Sequence, residues 1–464
     1  MGGLFQGLEV GKRALLTHQL TMNVIGHNLA NVNTPGYTRQ RTLVTTAQPL
    51  ETANYIIGNG VDAKTINQVR DLFLTRQFRR ESRALGEWTY REKALTQIET
   101  FFGEPNDEGL GNVLNKFWTS WLDLSNNPES PAARSAVVSQ ANTLVNSFHS
   151  LDRQLLEMST AANMDVADRV TQINQIARQV ADLNRQIVNE ELGQQKANDL
   201  RDQRDYLIDD LAKIVDVTTA EKANGATTVY ISGLAIVENA DTFELQTVTN
   251  SSERQATYDI VWKNTKTKVK ITGGELNGIL EARDVVIPGY QKQLDELAGT
   301  IIRRVNALHR AGIGLSGVGG LNFFNESFAT AAGIRVENNI ADDPGLIAAS
   351  LSGEPGDNAN ALTIADLRNQ MTMSFGTMSI TEYYNSMIGS IGVTSQEAKT
   401  FKGNSEVLIQ QIEQSRQSVQ GVSLDEEMAE MVRMQHAYNA AAKVITFIDE
   451  ALETLIQGMG VVGR

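Results

Sequence analysis

No cysteine occurs in the 464 residues. That excludes disulfide staples, thiolate metal sites and cysteine nucleophiles. Basic charge is in deficit: 41 Lys and Arg stand against 55 Asp and Glu, for a net charge of −14 and a pI near 5.0. A nucleic-acid binder wants a basic face, so this balance argues against that class. No apolar run approaches the ~18 residues of a membrane-spanning helix, so no membrane insertion is expected. The N-terminus is amphipathic and lacks the unbroken apolar core of a secretory signal. These absences fit a soluble cytoplasmic chain, or one exported by a route that needs no cleaved signal peptide.

Catalytic patterns are missing as well. The five histidines, His18, His27, His149, His309 and His436, include no pair four residues apart and no His-Glu-x-x-His string, so no zinc site is expected and each reads as a helix-surface or seam residue. Gly312-x-Gly314-x-x-Gly317 matches a dinucleotide fingerprint as letters. It follows a helix rather than a strand, and no helix N-terminus follows to hold a pyrophosphate. There is no Walker loop and no nucleophile elbow. The chain is read as a non-enzyme without cofactor or metal.

What is present is helical rhythm. At the C-terminal end Met431, Tyr438, Ile445, Leu452 and Met459 recur every seven residues, and Met434, Ala441, Ile448, Leu455 and Val462 form a second series offset by three. This is the a/d pattern of a coiled-coil seam. At the other end Leu8, Leu15, Met22 and Leu29 make one series; Leu4, Gly11, His18, Ile25 and Val32 make another, weakened by Gly11 and His18. A helix with one apolar stripe is marginal alone, so the two ends are expected to pair. Residues 1–60 carry four bases and two acids, and residues 405–464 four bases and nine acids; the opposite signs favour the encounter, though exposed pairs contribute only ~0–1 kcal/mol each. The ends are expected to order fully only when neighbouring copies cover their outer faces.

Between the ends the helical pattern covers 67–102, 110–125, 131–160 and 161–215, with a break near Gly193, and again 283–311 and 360–400. Gly403-Asn404 is read as a link to the closing helices 405–420 and 424–460. Arg76, Arg79, Arg80 and Arg83 read as a solvated stripe pairing with Glu residues. Asp199, Asp202, Asp205, Asp209 and Asp210, interleaved with Arg201 and Arg204, read as a charged solvent face rather than a metal cluster. From Val215 to Ile271 the pattern turns to Thr, Val, Ile and Tyr alternation with Asn-Gly and Ser-Gly turns, a small β-rich insert. The expected fold is therefore mainly α, elongated and multidomain, with nested discontinuous domains. Residues 1–66 and 402–464 form a terminal coiled-coil domain. Residues 67–215, 283–312 and 357–401 form a helical bundle. Residues 216–282 form an outer β insert, to which 313–356 is left open.

The first helix stops at Asn31-Val32-Asn33-Thr34-Pro35-Gly36-Tyr37, since Pro35 cannot continue it and Gly36 accepts a positive φ. The whole string from Asn23 to Tyr37, with Asn28, Asn31, Thr34, Pro35, Gly36 and Tyr37 as its assembly motif, resembles the N-terminal signature of the bacterial flagellar axial proteins (rod, hook and hook-associated). Three further stretches are similar to the hook-associated branch at the hook–filament junction. They are Trp121 to Arg134, Gly274 to Arg283, and Leu424 to Met431 with Gln435-x-x-Tyr438-x-Ala440-Ala441.

The resemblance implies a structural protein of the flagellum that connects hook to filament and allows filament assembly. It implies a ring of about eleven copies, contacts with the hook protein and a second junction protein, and an extracellular location. It also implies passage through the flagellar export apparatus, with a cytoplasmic chaperone on the C-terminal helices. A hook or rod subunit is the nearer alternative, opposed by the helical bulk. An enzyme or adhesin housed in the β insert is the more distant one, and the insert offers no acid–base or metal set for it.

Overall fold

The computed structural model describes residues 2–51, 56–103, 109–193, 195–251 and 256–460, and the side chains of these except 2, 3, 251 and 458–460. Helix α1 (Gly2–Ala30) is followed by strands β1 (Gln40–Thr46), β2 (Leu50–Glu51), β3 (Ile56–Ile57) and β4 (Val61–Gln68). β1 and β4 pair antiparallel from Gln40↔Gln68 to Thr46↔Val61, with a register shift between Leu43 and Val44.

Helices α2 (Leu72–Phe102), α3 (Leu110–Asn126), α4 (Pro131–Glu190) and α5 (Asn198–Ile214) come next. Their ends obey local chemistry. Asp71 caps α2 by accepting from the Phe73 and Leu74 amides. Ser130 caps α4 with Pro131 in its first turn, where a missing N–H costs nothing. The stretches 131–160 and 161–190 are one uninterrupted helix of 60 residues, spanning ~90 Å at 1.5 Å per residue. A short 3₁₀ turn at Glu191–Gly193 ends it.

The insert is a four-stranded antiparallel meander, β5 (Val217–Glu221), β6 (Thr227–Ile231), β7 (Leu234–Glu238) and β8 (Asp241–Thr242), plus a hairpin, β9 (Leu245–Ser251) with β10 (Ala256–Trp262). The chain returns through α6 (Glu275–Glu281), a π-helical turn at Ala282–Val286 and α7 (Ile287–Ala311). Short helices α8 (Asn338–Asp342) and α9 (Ala359–Asp366) precede two long ones, α10 (Ile380–Gln420) and α11 (Leu424–Gly460).

Two hydrophobic cores lie along α4. Its N-terminal half, from Val137 to Met158, packs with α2, α3, α7 and α10 around Phe117, Trp118 and Trp121. Its C-terminal half, from Ala162 to Ala181, packs with α5, α6 and the insert around Ile208, Val229 and Trp262.

Several sequence expectations are corrected. Gly403-Asn404 is not a link, because α10 runs straight through it and the turn falls at Gly421–Ser423. The 360–400 region is one short helix, a loop and the start of α10, which opens on a Ser379–Glu382 capping box. Segment 313–356 buries Phe323, Phe324, Ile334, Ile340 and Ile347 in the core with α3 and α7, away from the β insert. His309 is not a surface residue. It is fully buried, with Nδ1 2.7 Å from the Leu321 carbonyl and Nε2 accepting from the Ala348 amide at 3.0 Å. Burial pushes its imidazole down to about 4.

Candidate functional site where the two chain ends meet

Helices α1 and α11 lie antiparallel. A Cβ placed on Gly7 would stand 2.9 Å from Ile448 Cδ1, and one on Gly11 would stand 2.8 Å from Ile445 Cγ1, with the Ala441 carbonyl beyond. Gly11, which looks like a weak point in the heptad series, is therefore a point of close approach that has no room for a side chain. Ile25, Ala441 and Ile448 are buried in the pair. Leu8, Leu15, Met22, Leu29, Met431, Met434, Tyr438, Ile445 and Leu452 are half-buried, and Leu455 is exposed. The side chain of Met459, and Val462 altogether, lie outside the described residues. Ile25 and Met434 share the wall of one groove with Arg39 and Glu427.

At the inner end of this pair sits the motif. Asn28 is 1% exposed and uses its whole hydrogen-bonding capacity. Its Nδ2 donates to the Gln40 carbonyl at 2.9 Å and to Glu427 Oε2 at 2.9 Å. Its Oδ1 accepts from the Gln40 amide at 3.0 Å and from the Tyr37 hydroxyl at 2.8 Å. Only a carboxamide offers two donors and two acceptor positions on one planar head; a carboxylate there would face Glu427. Glu427 is itself 2% exposed and pairs with Arg39 Nε at 2.6 Å. The start of β1 is thereby tied to both terminal helices, and the Arg39 amide adds a bond to the Gln420 carbonyl at the end of α10.

The other motif residues shape the turn. Asn31 Nδ2 donates to the His27 carbonyl and Oδ1 accepts from Thr34 Oγ1 at 3.1 Å. Gly36 has φ +77°, and a Cβ there would lie 2.9 Å from the Tyr206 ring, so both conformation and space require glycine. Pro35 is exposed at the apex. Tyr37 turns back to Asn28, with His27 Nδ1 3.0 Å from its hydroxyl. Burial, then Asp199, Asp202 and Glu427, push the phenol well above its usual range.

The turn docks on α5. The Thr38 amide donates to Asp202 Oδ2 at 2.9 Å, and Gln68 Nε2 donates to Asp202 Oδ1 at 2.6 Å. Gln40 reaches Asp199 at 2.7 Å, and Asn198 reaches Gln40 and the Ile66 carbonyl. Here the reading of the Asp–Arg series as a solvent face fails. Asp202, Asp209, Arg201 and Arg204 are buried. Arg79, read as part of a solvated stripe with Glu partners, pairs instead with Asp205 and, at 2.6 Å, with Asp209. Arg70 also pairs with Asp205, and Arg416 of α10 completes the cluster at 3.1 Å from Asp209, with its guanidinium 4.4 Å above the Phe78 ring. Burial raises the Asp202 carboxyl to about 6 and lowers the Arg70 and Arg204 guanidinium groups to about 10. Asp199, Asp202, Gln40, Glu427 and the Asp209 cluster were missed as site residues. The sequence signal was the run of Asp and Arg along one helix, whose partners stand 130 and 207 positions away.

Among the described residues no group of three or more His, Cys, Asp or Glu is placed to hold a metal ion. No described helix is long and apolar enough to cross a membrane. What the geometry does is mechanical. It locks both chain ends, the β1–β4 ribbon and the α5–α10 base of the bundle at one point.

Comparison with known proteins gives consistent results. Residues 95–324 match the flagellar hook-associated protein FlgK helical domain. Residues 8–38 match the flagella basal body rod protein family, and residues 413–458 the flagellar basal body rod FlgEFG protein C-terminal family. Flagellar hook-associated protein 1 of Bacillus subtilis is 34% identical over 513 aligned positions, covering 100% of both chains. Its Escherichia coli counterpart is 24% identical, covering 94% of this chain and 97% of its own. In fold, the chain is similar to the flagellar hook junction protein FlgK of Burkholderia pseudomallei. The TM-score is 0.67 at 18% identity, over 74% of this chain and 100% of that one.

Proposed function

From the premise that this chain belongs to the flagellar hook-associated protein 1 family, a flagellar structural family and not an enzyme family, we propose that it joins the hook to the filament. It is a structural component of the flagellum and assembles with other flagellar components. The observation that carries the finer reading is the uncovered outer side of the terminal pair. Phe5 and Leu16 on α1, and Met428, Val432 and Phe447 on α11, are all exposed, although α1 and α11 already bury their seam against each other. Large apolar side chains left facing water along both helices mark a contact surface.

On this reading about eleven copies pack side by side as a ring or short helical tube, with the terminal pairs innermost. The hook protein lies on one side and a second junction protein on the other. Before assembly the apolar outer face of α11 needs cover, which supports a cytoplasmic chaperone on the C-terminal helices. Passage through the export apparatus without a cleaved signal peptide would deliver the chain to its extracellular place. The nested domain plan belongs to the same proposal: ends for assembly, bundle for stiffness, insert outermost.

Electron microscopy of cells lacking the protein tests this. Bare hooks with flagellin shed into the medium are expected, and a chain truncated at Ile445 should behave the same way. Full-length filaments on either strain would refute the reading.

A further inference from the structure

Between α2, the π-helical turn and α10 lies a groove of about 330 Å³. Its walls are apolar and partly aromatic: Trp88, Leu95, Val286 and Tyr290, with the exposed Val285 at the lip. Trp88 is held rigid by stacking on Phe401 at 4.6 Å and by Arg91 at 4.7 Å over its ring. Two buried polar atoms of groove residues have no hydrogen-bond partner, Arg91 Nε (a donor) and Gln293 Oε1 (an acceptor). Unpaired buried groups cost free energy until something meets them. An occupant that suits these walls presents an aromatic plug.

Among the exposed phenylalanines described, one stands out. Phe375 is fully exposed, more so than any other large apolar side chain described. It sits on a turn where Ser374, Phe375 and Gly376 all have positive φ, a conformation that costs about 1–3 kcal/mol at a non-glycine residue. The turn is nevertheless fixed. Met373 beneath it is buried, the Gly376 and Thr377 amides donate to the Met373 carbonyl, and Thr377 Oγ1 donates to the Ser374 carbonyl at 2.8 Å. A rigid, pre-formed knob loses little entropy on docking. It cannot reach the groove of its own chain. The turn precedes the first residue of α10, and the groove is met at Ser390, Thr394 and Ala398, roughly 15–27 Å down that helix at 1.5 Å per residue.

We propose that Phe375 of one copy seats in the Trp88–Tyr290 groove of the next, as a head-to-tail contact between bundles in the assembled junction. The inference rests on the reading that copies pack side by side, and adds the contact that sets their stagger. A knob and a hole at different heights make neighbours step along the bundle axis. That contact is heterologous and builds a helical tube rather than a flat two-fold pair.

The test uses full-length chains in cells lacking the native protein. Because the sequence has no cysteine, Ser374→Cys beside the knob with Val285→Cys at the groove lip introduces the only two thiols and leaves Phe375 in place. Mild oxidation of isolated flagella should give a ladder of cross-linked multimers, absent from either single variant. Phe375→Ala should leave the melting temperature of the monomer unchanged and weaken self-association at least tenfold. Filaments that attach normally with no ladder from the double variant would overturn this contact while leaving the junction reading intact. Loss of filaments in Phe375→Ala with no ladder would also overturn it, since the knob would then seat in a different protein. If cells lacking the chain still attach filaments, the junction reading itself fails.

Discussion

Asn28 and Glu427 are 399 positions apart and meet at 2.9 Å, carboxamide to carboxylate, in the least exposed part of the terminal pair. That bond turns a helix stop in the sequence into a latch. The same Asn28 head also fixes both backbone groups of Gln40 and the Tyr37 hydroxyl, so the turn, the ribbon and α11 fail together if it is lost.

Asn28→Ala is therefore expected to cost about 2–3 kcal/mol, because it leaves buried donors and acceptors unmatched. Asn28→Asp should cost more, since it sets a second carboxylate against Glu427. Urea unfolding of the monomer measures both. A loss under about 0.5 kcal/mol for Asn28→Ala would contradict the latch.

The two seam glycines separate packing from propensity. Alanine at either gains ~1 kcal/mol of helix propensity. At Gly7 the added Cβ meets the far end of Ile448, which can swing away; at Gly11 it meets Cγ1 of Ile445, next to the α11 backbone. Gly7→Ala should be neutral or stabilising. Gly11→Ala should be destabilising by about 1 kcal/mol, as overpacking is, and Ile445→Ala, which removes the clashing Cγ1, should partly restore it. Limited proteolysis reads the outcome: both ends should become cleavable together in Gly11→Ala alone.

Asp209 holds α2 and α10 at once through Arg79 and Arg416. Removing one member of a buried ion cluster strands the others, at a cost near 3–5 kcal/mol for a fully buried pair. These guanidinium groups keep some solvent contact, so about 2–3 kcal/mol is expected for Asp209→Ala. Hydrogen exchange should show α10 loosening near Arg416 before the core around Trp121 does. Uniform loosening would argue against a local clamp.

The pH dependence has two opposed parts. His309 titrates at about 4 when folded, against 6.5 when free. Its folded-state pKa is depressed, so its contribution is complete above pH 6.5 and is lost as pH falls towards 4, about 3 kcal/mol in all. Asp202 runs the other way. Its carboxyl rises from 3.8 to about 6 on folding, so acidification from 6 to 4 favours the folded state. His309→Gln keeps a donor and an acceptor without titrating. The stability gap between the native chain and this variant should shrink between pH 6.5 and 4. A constant gap would contradict the buried neutral imidazole.

How much of this was legible in the sequence depends on where each partner lies. The 3–4 recurrence of Leu8 to Leu29 and of Met431 to Leu455 is local information, and the mainly α fold with paired ends followed from it. The helix stop at Pro35-Gly36 is local too. The Asp–Arg series of α5 was misread because a solvated face and a buried ion cluster have the same one-dimensional pattern. They differ only in whether Arg70, Arg79 and Arg416 arrive from elsewhere. Gly403 misled for a related reason: glycine weakens a helix by about 1 kcal/mol, and the long packing of α10 along α2, including Phe401 on Trp88, outweighs that. His309 reads as a helix-surface or seam residue because nothing beside it in the chain reveals the Leu321 and Ala348 backbone groups that satisfy it in the core.

The claim that both chain ends form one antiparallel unit is tested most directly by a distance. Spin labels on cysteines introduced at the exposed positions Lys12 and Val444 flank the Gly11–Ile445 contact, and the chain has no other thiol to label. Packed helices stand 8–10 Å apart, so pulsed dipolar spectroscopy on the full-length protein should give a narrow distribution below about 25 Å. A broad distribution centred beyond about 40 Å would place the two helices apart and contradict the account.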